Sequence, residues 1–137
     1  YTPTHTLSLH DALPISSSRL ESGALDVETL VAEAAVSDLL VNATTVGMWP
    51  EVAGSIWPDE AVIPGHLTVY DLVYNPVETR LLRRAREAGA EVIDGLGMLA
   101  YQGALSLDAW VDEDLVIDDV AATMRRVAER ALWGGQR

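Results

Sequence analysis

The spacing of apolar positions changes several times along this chain, and each change marks an element. In DVETLVAEAA, residues 26–35, apolar side chains fall at Val27, Leu30, Val31, Ala34 and Ala35, which is one face of a helix. Asp26 is placed to cap it, with Glu28 as an acidic first-turn residue. SDLLVNAT (37–44), LTVYDLVY (67–74) and AEVIDG (90–95) are short apolar runs. They predict strands near 38–43, 67–73 and 91–94, the first two of the type buried on both faces. Residues 47–65, GMWPEVAGSIWPDEAVIPG, are rich in Pro and Gly and read as loop. Asn75-Pro76-x-Glu78 predicts a helix start: Asn at the cap, Pro at the first helical position, Glu at the third. That helix carries Val77, Leu81, Leu82, Ala85 and Ala88 on one side and ends at Gly89. Further helices are predicted over 97–110 and 118–132.

Strands alternating with helices predict an α/β fold, a three-layer arrangement with one parallel sheet and flanking helices. In such sheets ligands bind at the carboxyl ends of the strands. Asn42-Ala43-Thr44, Tyr74 and Asp94-Gly95 all fall there.

Composition narrows the choices. A length of 137 residues fits about one domain, and 49% hydrophobic residues are enough for a core. A net charge of −12 makes nucleic acid an unsuitable partner, since phosphate binding calls for a basic face. No apolar run is long enough to span a membrane. Without cysteine, disulfides and thiolate metal sites are excluded. All nine basic residues are arginine.

The opening YTPTHTLSLHDALPISSS shows no period and no basic n-region, so it is not read as a signal peptide. TLSLHDALPI back-translates to text resembling a common sequencing adapter. Residues 1–18 are therefore expected to be a non-native or disordered leader that packs nothing, and His5 and His10 receive no metal role. No metal site is expected elsewhere.

The strand ends carry the candidate chemistry. Gly95 and Gly97 bracket the turn into a helix, where backbone can approach a ligand and unpaired N–H groups are on offer. Met98 and Gln102 share a helix face, and Gln102 can both donate and accept. Tyr74 places a phenol where a strand leaves the sheet. Taken singly, Gln102 also reads as a solvated side chain and Tyr74 as a packed aromatic. Arg80, Arg83, Arg84 and Arg86 read as a solvated helix face, and Trp49, Trp57, Trp110 and Trp133 as packing residues.

Together, NATTVGMWP, YDLVYNPVETRLLRRAREAGA and DGLGMLAYQGALSLDAW resemble the C-terminal part of shikimate dehydrogenase, from about Ser37 to Leu132. The resemblance implies a partial Rossmann-type domain over 19–110 that binds NADP. It also implies a helical segment, 111–137, returning toward a substrate domain that the chain does not match. The family reduces 3-dehydroshikimate to shikimate with NADPH in aromatic amino-acid biosynthesis, which implies a cytoplasmic enzyme with a small-molecule substrate and no nucleic-acid or membrane partner. By the same resemblance Asn42, Ala43, Thr44, Leu72 and Gly95 would line the cofactor, and Tyr74 and Gln102 would touch shikimate.

The departures are a glycine-rich phosphate turn and an Asn-Arg-Thr segment, both absent here, and the family's catalytic Lys, which a chain without lysine does not contain. No catalytic residue is assigned, and the chain alone is expected to be inactive. A quinate/shikimate dehydrogenase and a non-catalytic nucleotide-binding module remain as alternatives.

Overall fold

The computed structural model describes Gly23 and residues 25–111 and 114–134; the leader over 1–18 and the side chain of Trp133 lie outside the described residues. Helix α1, Val27–Ala35, begins where the Asp26 carboxylate accepts the Thr29 amide at 2.8 Å. Three strands follow: β1 Leu39–Asn42, β2 Thr68–Asp71 and β3 Glu91–Ile93. They form one parallel sheet in the order β1-β2-β3, with Leu40 beside Val69 and Val69 beside Val92. Helix α2, Arg80–Glu87, connects β2 to β3; α3, Leu96–Asp108, follows β3; α4, Ile117–Gly134, packs on α3.

The core lies on one face of the sheet. Leu40, Val69 and Val92 join Ala34 of α1, Leu81, Leu82 and Ala85 of α2, and Trp57, Ile63 and Leu67 from the segment between β1 and β2. Burial of each large side chain here contributes about 1.5–3 kcal/mol. Trp57 is fully buried, and its indole N–H donates to the Ala61 carbonyl at 3.0 Å. The opposite face differs from the expectation of strands buried on both sides. Leu39, Val41 and Ile93 are 52%, 43% and 46% exposed, because the described helices do not cover that face. The sheet is therefore two-layered among the described residues, and its strands alternate inside and outside.

Helix α2 starts later than Asn75-Pro76 predicts. Thr79 is the cap, its hydroxyl accepting the Leu82 amide at 3.2 Å while donating to the buried Asp71 carboxylate at 2.6 Å. A tertiary bond thus selects the cap, which local sequence cannot anticipate. The helix ends as expected at Gly89, whose φ of +86° lies in the left-handed region.

The arginine face is also not simply solvated. Arg84 donates to the carbonyls of Trp57, Pro58, Asp59 and Ala61 at 2.9–3.2 Å. Arg80 reaches the Ala53 carbonyl and the Asp59 carboxylate. These two side chains hold the helix-free crossover between β1 and β2 against α2. Arg86 pairs with Glu78, and Arg83 is exposed. Of the tryptophans, Trp57 packs as expected, whereas Trp49 and Trp110 are 65% and 82% exposed.

Helices α3 and α4 form a second, smaller cluster through Ala100, Ala104 and Ala121, with Val120 and Met124 against them. Small residues permit the close approach: a Cβ on Gly103 would lie 3.0 Å from the Met124 sulfur.

Candidate functional site at the strand ends

The carboxyl edge of the sheet is built as a row. The Leu72 amide donates to the Asn42 carbonyl at 3.0 Å, extending the parallel ladder one residue past β2. Leu72 in turn abuts Gly95, the residue that opens α3. A Cβ there would meet the Leu72 carbonyl oxygen and lie 2.7 Å from both Leu72 C and Val73 O, all backbone atoms. Only glycine permits this approach. Asn42, Leu72 and Gly95 are thereby joined across three strand ends; Asn42 and Gly95 were expected there from the sequence pattern, Leu72 only from the resemblance.

A buried polar network lies beneath this row. Asp71 is fully buried and accepts three hydrogen bonds: from Asn42 Nδ2 at 2.9 Å, the Val73 amide at 3.0 Å and the Thr79 hydroxyl at 2.6 Å. Asn42 is also buried, and its Oδ1 accepts the Thr44 amide at 3.0 Å and the Thr44 hydroxyl at 2.7 Å. Its second amide proton points to the Val46 carbonyl at 3.4 Å. An amide side chain offers two donors and two acceptor lone pairs, and these bonds use all four. The Asn42 side chain thus has nothing left for a ligand. Ala43 and Thr44, both exposed, form the outward surface of this segment.

At the third strand end, Asp94 Oδ1 accepts the Leu96 amide at 3.0 Å, just ahead of Gly95, the cap residue of α3. Its Oδ2 accepts from Arg125 of α4 at 2.7 Å, and Arg125 also bonds Glu129 at 3.0 Å. The bond to Asp94 leads the causes that raise the Arg125 pKa above its ordinary value. A cavity of about 420 Å³ lies beside this pair, between α2, β3 and α4. Both of its arginines, Arg86 and Arg125, already face acidic partners, Glu78 and Asp94.

Tyr74 and Gln102 are exposed, and no hydrogen bond joins them. The Gln102 side chain makes one local bond, donating to the Leu99 carbonyl of its own helix at 3.2 Å. Tyr74 stands beside Asn75, whose carbonyl accepts the Trp49 amide at 2.8 Å. The exposed Met48 and Trp49 therefore come to the same edge. Sequence reasoning brought neither to this edge, reading Trp49 as a packing residue, and missed the roles of Asp71 and Thr79; a carboxylate within a buried-type strand was the one available signal.

No protein-family model matches the chain. Among curated proteins, shikimate dehydrogenase (NADP(+)) of Moorella thermoacetica is 43% identical over 100 residues, 73% of this chain and 32% of that protein. Matches of this kind recur at 34–51% identity and fall in the C-terminal part of the relatives. The chain is homologous to the C-terminal part of shikimate dehydrogenases. It spans between 26% and 44% of the length of the curated shikimate dehydrogenases it matches.

Solved structures agree. The shikimate 5-dehydrogenase of Thermus thermophilus, in complex with NADP(H) and shikimate, is 40% identical with a TM-score of 0.63, covering 73% of this chain and 36% of that one. Quinate dehydrogenase of Corynebacterium glutamicum, in complex with NAD, is more distant at 30% identity and a TM-score of 0.59, covering 72% of this chain and 34% of that one. The fold shared with shikimate dehydrogenases is a Rossmann-type parallel sheet with flanking helices.

Proposed function

We propose that this chain supplies the cofactor side of an NADP-dependent shikimate dehydrogenase, which reduces 3-dehydroshikimate to shikimate. The observation that carries the reading is the row Asn42–Leu72–Gly95 across three parallel strand ends, formed by residues whose relatives belong to enzymes named for shikimate and NADP(+). The greater identity to shikimate than to quinate dehydrogenase favours shikimate as substrate.

The residues present fit the nicotinamide end of the cofactor: Ala43, Thr44, Leu72 and Gly95 offer small or apolar surface and backbone at one edge. Bound NADPH would supply the hydride. Leu72 and the backbone at Gly95 would orient the ring, while Thr44 and Ala43 would wall the cleft. Tyr74 and Gln102 would bind substrate hydroxyl or carboxylate groups through their exposed polar ends. No side chain here is assigned the proton transfer. The remaining cofactor contacts, and the acid–base group, are expected from protein matching the rest of the relatives' length.

Residues 19–110 would form the cofactor-binding part and 111–137 a helical return toward a substrate-binding part, in a cytoplasmic enzyme. No described helix is long and apolar enough to cross a membrane.

The test is NADP-dependent oxidation of shikimate by the chain alone, then after mixing with the N-terminal part of the Thermus thermophilus enzyme. Holding donor and acceptor in reacting geometry supplies much of an enzyme's rate, so the chain alone should show none. Turnover only after mixing supports the reading. Turnover of quinate in preference to shikimate, or nucleotide binding without turnover in the mixture, counts against it.

A further inference from the structure

We infer that Asp71 is a positioning residue for the cofactor edge, acting by orienting the Asn42 amide. The inference rests on the cofactor reading above only for its functional meaning; the geometry stands apart from it. Asp71 Oδ1 already accepts the Val73 amide, so toward Asn42 it presents an acceptor. Facing Asn42, it therefore takes the Nδ2 side of the amide and turns Oδ1 toward Thr44. With the amide reversed, two acceptors would face each other in a fully buried place, which is costly. Thr44 then passes the order on, its hydroxyl accepting the Val46 amide at 3.1 Å. The same carboxylate holds the Val73 amide, next to the Leu72 backbone that seats Gly95, and the Thr79 hydroxyl that caps α2.

One buried group thus sets two of the outward surfaces assigned to the cofactor, 43–44 and 72, without touching the cofactor. Exposure does not identify it, because its work is done through Asn42 and the Val73 amide.

The experiment is NMR on the full chain, reading the Asn42 side-chain amide and hydrogen exchange at the Thr44 and Val46 amides. Asp71→Ala should collapse the two Asn42 Nδ2 protons to free-amide positions. It should also speed exchange at Thr44 at least tenfold relative to Val69. Asp71→Asn keeps an acceptor oxygen and should hold Thr44 exchange within about threefold of the parent, a rescue that a general loss of packing would not show. Should Asp71→Ala fail to fold, Thr44→Val at the exposed turn decides. The Asn42 protons should stay where they are, because Asp71 holds them; their averaging would mean that Thr44, not Asp71, orients the amide, and would overturn the inference. An unmoved Asn42 amide in Asp71→Ala would do the same. NADP+ added to the parent chain and the N-terminal part together tests the cofactor reading separately, since the exchange measurements need no nucleotide.

Discussion

The backbone of Leu72 occupies the space that a side chain on Gly95 would need, and this contact seats the start of α3 on the end of β2. Three backbone atoms crowd the position, so a methyl group there cannot be relieved by turning a flexible side chain. Gly95→Ala should destabilise the chain by about 1–3 kcal/mol, the usual cost of overpacking. Urea denaturation followed by circular dichroism measures it. A midpoint equal to that of the parent would show that the strand-end row opens freely.

Arg84 should be essential to the crossover loop. It bonds four loop carbonyls from a half-buried position. Arg84→Ala should lose on the order of 2–3 kcal/mol, as charged hydrogen bonds to backbone are removed. Arg84→Lys should recover only part of it, since one ammonium cannot reproduce the planar fork. Denaturation midpoints, with tryptophan emission reporting exposure of Trp57, distinguish the outcomes.

The N-terminus of α1 should be pH-sensitive. The Thr29 backbone bond, foremost, lowers the Asp26 pKa below its ordinary 3.8. A group lowered in the folded state stabilises it above the unfolded pKa and loses that contribution as pH falls through the folded value. Exchange at the Thr29 amide should therefore quicken below about pH 3.8 relative to the α2 amides. Asp26→Asn should remove the dependence while keeping the cap.

The phenol of Tyr101 shows the opposite sign. Its hydrogen bond to Asp118, at 2.8 Å, is the foremost cause raising its pKa above 10.0. The α3–α4 contact it makes should be complete below pH 10 and lost as pH rises through the raised folded value. Ultraviolet titration of the phenolate checks this, and Asp118→Asn should return the transition toward 10.0.

On the proposed function, Gln102 would serve substrate. Its side chain's one bond is local and exposed, so turning toward a ligand costs little. In the mixture with the N-terminal part, Gln102→Ala should weaken shikimate binding by about 1–2 kcal/mol. An unchanged KM would remove Gln102 from the substrate site.

Much of the fold was legible in the chain. The three strands, the helices around them and the approximate boundaries follow from periodicity, because backbone geometry imposes its period on whichever residues face the core. The strand-end position of Asn42 and Gly95 was legible for the same reason, whereas Leu72 lay inside the strand predicted over 67–73. The uncovered sheet face was not, since a short apolar run looks the same whether one face or both are buried.

Local pattern by itself determined that this chain forms parallel strands with Asn42, Tyr74 and Gly95 near one edge. Tertiary structure alone decided that Thr79 rather than Asn75 caps α2, that Arg84 holds a loop rather than facing water, and that Asn42 turns inward. Each of those outcomes depends on a partner between 8 and 29 positions away in sequence. A periodicity carries information only about which face a residue occupies. Which donor meets which acceptor is settled when distant segments are brought within hydrogen-bonding distance, where the penalty for an unsatisfied buried polar group selects one arrangement.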